Sequence, residues 1–155
     1  WDEGNTRTDS MQSSFAKKAV PERGKRGEPL MPIGWAVLPE GLRETLLWAR
    51  NRYGNYDFYV TENNALGCDE SRVEDAVHDQ YRIDYLRSHF LAARQAIADG
   101  VNLKGYMVWS LMDNLEWASG FRIRAGLAHV DFKTNKRTLK DSARWYRGVI
   151  QGNRV

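Results

Sequence analysis

The feature that most constrains this chain is an alternation between two hydrophobic periods. The stretch "LPEGLRETLLWARNRYG", residues 38–54, sets Leu42, Leu46, Leu47 and Ala49 on one helical stripe. Pro39 and Glu40 suit its first turn and Gly54 its stop. A short apolar run at about 56–61 then reads as a strand. A second helical pattern covers about 79–99, with Asp79 as N-cap, a stripe of Tyr81, Tyr85, Leu86, Phe90, Ala93 and Ile97, and Gly100 as a left-handed stop. A second strand is expected from Leu103 to about Leu111. After a turn-rich stretch come a small strand in "GLAHVDF" and a closing helix, "KDSARWYRGVIQ", with Asp141 near its start.

The order α, β, α, β, α is that of parallel βα units. Strands apolar on both faces expect cover on both sides. Two strands cannot close a (β/α)₈ barrel, which takes about 250 residues. The 155-residue chain therefore reads as the C-terminal part of a larger α/β protein. Residues 1–32 are polar and punctuated by Gly and Pro, a long loop; residues 33–155 carry the regular elements.

Charge and composition exclude several functions. Net charge is +3, and much of it lies in "KKAVPERGKRGEP", Lys17 to Pro29, which has neither aromatics nor periodicity. That is a solvated loop, not a nucleic-acid surface. No apolar run approaches the roughly 20 residues of a membrane span. The single cysteine, Cys68, can form no intrachain disulfide, which fits a reducing, cytoplasmic setting. No signal peptide is recognisable, although the chain starts at Trp1. His78, His89 and His129 match no metal-ligand spacing, and there is no Gly-rich phosphate loop, so no metal or cofactor is expected.

In parallel α/β folds, functional groups sit at the C-terminal ends of strands. The first strand here runs into "TEN" and the second into "WSLMDNLEW", so Glu62, Trp109, Asp113, Glu116 and Trp117 are expected at one mouth. Taken singly, each has a plain reading: a solvated strand-end Glu62, a core Trp109, a turn pair Asp113-Asn114. Their repetition at two successive strand ends favours function. Indole faces pack on pyranose rings, and carboxylates accept hydrogen bonds from sugar hydroxyls.

The motifs "YVTEN", "GYMVWSLMDNLEWASGF" and "GLAHVDFKTNKRTLKDSARWYRGVI", preceded by "GWAVLPEGL", resemble the C-terminal signature of family 1 glycoside hydrolases, the β-glucosidase family. The similarity covers about residues 33–150. It implies part of a (β/α)₈ barrel that cleaves β-glycosides with retention. By motif position, Glu62 matches the nucleophile of the family's T-E-N-G, Glu116 the carboxylate on the sugar 4- and 6-hydroxyls, Trp117 the indole reaching the 3-hydroxyl, and Trp109 the platform under the glycone. Members acting on 6-phosphorylated sugars carry a small polar residue in place of Glu116, so this chain is expected to take unphosphorylated glycosides.

The chain also departs from the family pattern. Asn64 stands where T-E-N-G has its glycine, and Asn is expected to keep a left-handed turn there. Ala36 replaces the glutamate of "GWE". Ala125 replaces an aromatic, which the resemblance implies is a wall of the glycone pocket. The general acid/base, in an Asn-Glu-Pro motif on the family's fourth strand, has no counterpart here. The expected partners are a β-glycoside substrate and the missing N-terminal portion of the barrel, and the isolated chain is expected to have little activity. The rival reading is a non-catalytic remnant that binds sugar or protein.

Overall fold

The computed structural model describes residues 23–25, 27–67, 71–73 and 76–155. Cys68, most of the leading loop and the first part of the basic run lie outside the described residues. The elements follow as α1 (Pro39–Tyr53), β1 (Phe58–Val60), β2 (Ser71–Val73), β3 (Ala76–His78), α2 (Gln80–Ala98), β4 (Leu103–Tyr106), β5 (Ala128–Val130), β6 (Arg137–Leu139) and α3 (Asp141–Gly152), with a short 3₁₀ turn at Trp117–Ser119.

The helix signals lie where the sequence puts them. Pro39 opens α1, and Gly54, at φ +106°, caps it. Gly100, at φ +95°, follows the end of α2. Asp79 precedes α2 but caps a different helix: its carboxylate accepts from the Ser142 N–H (2.9 Å) and Oγ (2.6 Å), in the first turn of α3. Arg82 Nε donates to the same carboxylate at 2.8 Å, with both side chains fully buried. The start of α2 is thereby tied to the start of α3.

β1 and β4 pair in parallel, as the alternation requires. Their regular ladder is shorter than expected, because the register is irregular at both ends. It shifts between Phe58 and Tyr59. Beyond the strands, Met107 N–H donates to Val60 O and Trp109 N–H to Asn63 O. Two residues on one side thus oppose three on the other, an extra residue around Thr61-Glu62 of the kind that re-aims a side chain. Among the described residues, two antiparallel hairpins, β2–β3 and β5–β6, form separate two-stranded sheets; the sequence suggested only the strand in "GLAHVDF".

The core lies on the helix-facing side of the parallel pair. Leu66, Tyr85, Leu86, Phe90 and Ile123 form one buried cluster, against which Tyr106, Val108, Trp145 and Tyr146 pack. The Phe90 ring meets Tyr106 edge-on at 4.6 Å and stacks on Trp145 at 5.8 Å, joining α2, β4 and α3. A second cluster places Phe58 and Leu103 against Leu46, Ala96 and Val101. Met31, in the segment expected to be a plain loop, is buried in the first cluster, and the Leu30–Ala36 bridge fixes its neighbourhood. The expectation of cover on both sheet faces is not met by the described residues: Tyr59, Met107, Trp109 and Leu111 are exposed. Along 106–111, alternate residues pack inward or face out.

Candidate active site

Glu62 leaves β1 with an exposed side chain, and its two successors are anchored. Asn63 accepts a hydrogen bond from the Tyr106 hydroxyl. Burial pushes the Tyr106 phenol far above its ordinary pKa, assisted by the neighbouring Tyr85 and Tyr146, so it stays a protonated donor. Asn64 is buried; its Nδ2 donates to Ala125 O and its Oδ1 accepts from the Ala65 N–H, each at 2.8 Å. Its side chain thereby ties the residues after the strand end to the Ala125 carbonyl, 61 residues on, and to its own next amide. Asn64 is not among the positive-φ residues, so the left-handed turn expected there does not occur; its side-chain hydrogen bonds anchor the segment instead.

Parallel pairing sets Trp109 beside this strand end, through its N–H to Asn63 O at 3.3 Å. Its side chain is not the core residue of the plain reading: Trp109 is 40% exposed. The next residues are fixed one by one. Ser110 N–H donates to Ala125 O, Ser110 Oγ to Met112 O, and Asn114 Nδ2 to both Ser110 Oγ and Met112 O.

Asp113, expected at the mouth with the other acids, is buried at 3% exposure. Its carboxylate accepts from Lys140 Nζ (2.9 Å), Gly126 N–H (3.0 Å), Arg124 (3.3 Å) and Val130 N–H (3.3 Å), and His129 Nδ1 lies 3.5 Å away. A charge taken out of water needs this many partners. Gly126 is required beside it, since a Cβ there would stand 2.1 Å from the Asp113 nitrogen. Asp113 therefore bolts the loop to the β5–β6 hairpin and to Lys140 at the start of α3. Lys140 lies 27 residues from Asp113, so no local pattern announces the pair.

Beyond the bolt comes the turn bearing Glu116 and Trp117. Glu116 N–H donates to Gly120 O, and Ser119 N–H to Glu116 O, both at 2.8 Å. Glu116 is partly buried. Trp117 sits at φ +40° with 89% of its surface exposed. A left-handed tryptophan costs about 1–3 kcal/mol, and burial of the indole offsets none of it. Ala125, expected as a missing pocket wall, is 1% exposed and lies in the core cluster with Ala65 and Leu66; its carbonyl receives Asn64, Ser110 and Arg82. Its methyl group faces the interior. Among the described residues no group of acids, histidines and cysteines could hold a metal, and no helix is long and apolar enough to cross a membrane.

Set against known proteins, the sequence matches the family model described as glycosyl hydrolase family 1 over residues 2–155. The 1,4-beta-D-glucan glucohydrolase of Thermotoga neapolitana is 46% identical over 129 residues, 83% of this chain and 29% of that protein. Beta-glucosidase A of Acetivibrio thermocellus is 44% identical over 121 residues, 78% of this chain and 27% of that one. The solved structure of the Thermotoga maritima beta-glucosidase in complex with glucoimidazole superposes with a TM-score of 0.81 at 45% identity, over 85% of this chain and 30% of that chain. The chain thus spans less than a third of the length of these relatives. Its parallel strands and packed helices are part of a (β/α)₈ barrel.

Proposed function

Since the chain belongs to glycosyl hydrolase family 1, we propose that it carries the nucleophile end of a retaining β-glycosidase acting on O-glycosyl bonds of unphosphorylated β-glycosides. The observation that supports this most is Glu62 itself: an exposed carboxylate at the end of a parallel strand, on a backbone that Asn63 and Asn64 hold still. The relatives' names, β-glucosidase and glucan glucohydrolase, agree with it.

In this mechanism Glu62 attacks the anomeric carbon and forms a glycosyl ester. A carboxylic acid about 5–5.5 Å away protonates the departing oxygen, then takes a proton from the water that releases the sugar. Trp109 lies under the glycone, while Glu116 and Trp117 grip its hydroxyls. A second negative charge near Glu116 is disfavoured, which selects against phosphorylated sugars. The carboxylic acid must come from outside this sequence, which contains no Asn-Glu-Pro. General acid–base help is worth roughly 10²–10⁴-fold, so the 155-residue chain alone is expected to turn over little substrate. The rival reading keeps the same surface for sugar binding without chemistry.

A 2-fluoro β-glucoside with a dinitrophenolate leaving group needs little acid help. Peptide mass spectrometry after incubation is expected to find the fluoroglucosyl adduct on Glu62 and none in Glu62→Gln. A folded chain that binds the reagent yet takes no label would favour the rival.

A further inference from the structure

The extra residue around Thr61-Glu62 is pinned at both ends. At one end Met107 N–H donates to Val60 O at 2.7 Å. At the other stands Asn63, whose carbonyl receives the Trp109 N–H at 3.3 Å, long for a bond of this type. The Asn63 side chain adds a second hold. Its Oδ1 accepts from the Tyr106 hydroxyl. It also hydrogen-bonds the Tyr85 phenol of α2, a contact that opposes the larger upward push of burial on the Tyr85 pKa. Tyr106 is itself fixed on several sides. Val60 is its partner in the β1–β4 register, the Tyr146 hydroxyl of α3 donates to its carbonyl at 3.1 Å, and Phe90 meets its ring edge-on. The three phenols are therefore not equivalent. Tyr85 and Tyr106 reach the residue next to Glu62, whereas the Tyr146 hydroxyl bonds the main chain of Tyr106.

We propose that Tyr106 and Asn63 are positioning residues for Glu62: the Tyr106 hydroxyl, acting through the Asn63 side chain, holds the strand end so that the Glu62 carboxylate keeps one orientation for attack. The inference rests on the reading of Glu62 as the nucleophile. An attacking atom must stand about 3–3.5 Å from the reacting carbon with its orbitals aligned, and a displacement of about 1 Å costs on the order of 10²-fold in rate. Glu62 is exposed, so packing does not fix it, and its aim falls to its neighbours. A bulge re-aims the side chain it carries, so whatever fixes the bulge fixes that aim. A phenol suits the task. It presents its donor at the end of a rigid ring, and burial keeps the Tyr106 hydroxyl protonated at neutral pH and well above.

The test follows inactivation of the 155-residue chain by the dinitrophenyl 2-fluoro β-glucoside, separating the maximal labelling rate at Glu62 from the reagent's dissociation constant. Tyr106→Phe keeps the ring and removes the hydroxyl. It is expected to slow maximal labelling by about fivefold or more and to leave the dissociation constant within about twofold of the parent. Tyr146→Phe is the control: it removes a hydroxyl from the same cluster and is expected to label at the parent rate. Asn63→Ala is expected to slow labelling as much as Tyr106→Phe does, and the double variant no further, since both act through one contact. Backbone order parameters from NMR read the same hold without chemistry. At the Glu62 amide the value is expected to fall from about 0.85 to below about 0.6 in Tyr106→Phe, and to stay near the parent value in Tyr146→Phe. A parent chain that takes no label on Glu62 overturns the nucleophile reading, and the order parameters then decide whether Tyr106 holds the strand end. Labelling of Tyr106→Phe at the parent rate, equal slowing by Tyr146→Phe, additive losses in the double variant, or an unchanged order parameter at Glu62 overturns the positioning proposal.

Discussion

Asp113 and Glu62 both lie where the chain leaves the parallel strands, and both carry a carboxylate. Asp113 is enclosed by a lysine, an arginine and two backbone N–H groups. Glu62 is exposed, and the anchoring falls instead on the residues after it. The same division recurs within 109–117: Ser110 and Asn114 spend their polar atoms inside the loop and Asp113 on the hairpin and Lys140, while Trp109 and Trp117 are exposed. Polar groups that are fully satisfied internally hold shape. Those left exposed on a fixed backbone, in one case at a conformational cost, are free to meet a ligand.

The contrast can be broken most strongly at the bolt. Lys140→Met leaves Asp113 buried without its closest cation and is expected to cost about 3–5 kcal/mol in urea unfolding. Leu86→Ala removes a fully buried side chain between α2 and the sheet and is expected to cost about 2–5 kcal/mol by the same measurement, without changing the circular dichroism of what remains folded. Asn64→Ala strips partners from the Ala65 N–H and the Ala125 carbonyl; a loss of about 1–3 kcal/mol is expected, together with slower labelling of Glu62, since these hydrogen bonds anchor the residues after the strand end.

The smallest effect is a pH slope from His89. Burial lowers its pKa below 6.5, against a smaller opposing contribution from its hydrogen bond to the Tyr85 carbonyl. The folded state thus favours the neutral ring. Its contribution to stability is complete above about 6.5, the unfolded value, and is lost as pH falls from there through the folded pKa. Unfolding free energies from pH 8 to 5 are expected to decline more shallowly in His89→Gln than in the parent chain.

Much of the fold is legible in the sequence because its signals are local. Pro39, Gly54 and Gly100 sit at helix ends for backbone reasons that need no partner, and the alternating periods imply the parallel pair. Non-local pairings are not legible. Asp79 looks like the cap of the helix it precedes, yet its oxygens reach Ser142, 63 residues on. Asp113 looks like a mouth residue, because nothing near it in sequence reveals Lys140. The β2–β3 hairpin joins three-residue strands, too short for periodicity to register. Asn64 is expected to keep a left-handed turn, but its side chain anchors the segment through the Ala125 carbonyl, 61 residues away, a partner nothing local in the sequence reveals.

The division between the two carboxylates is tested most directly by measuring the urea-unfolding free energies of Asp113→Ala and Glu62→Ala under one set of conditions. Asp113→Ala is expected to lose about 3–5 kcal/mol, and Glu62→Ala to stay within about 0.5 kcal/mol of the parent. A Glu62→Ala loss as large as that of Asp113→Ala would mean that Glu62 is part of the scaffold, and would contradict the assignment of the free strand-end carboxylate to chemistry.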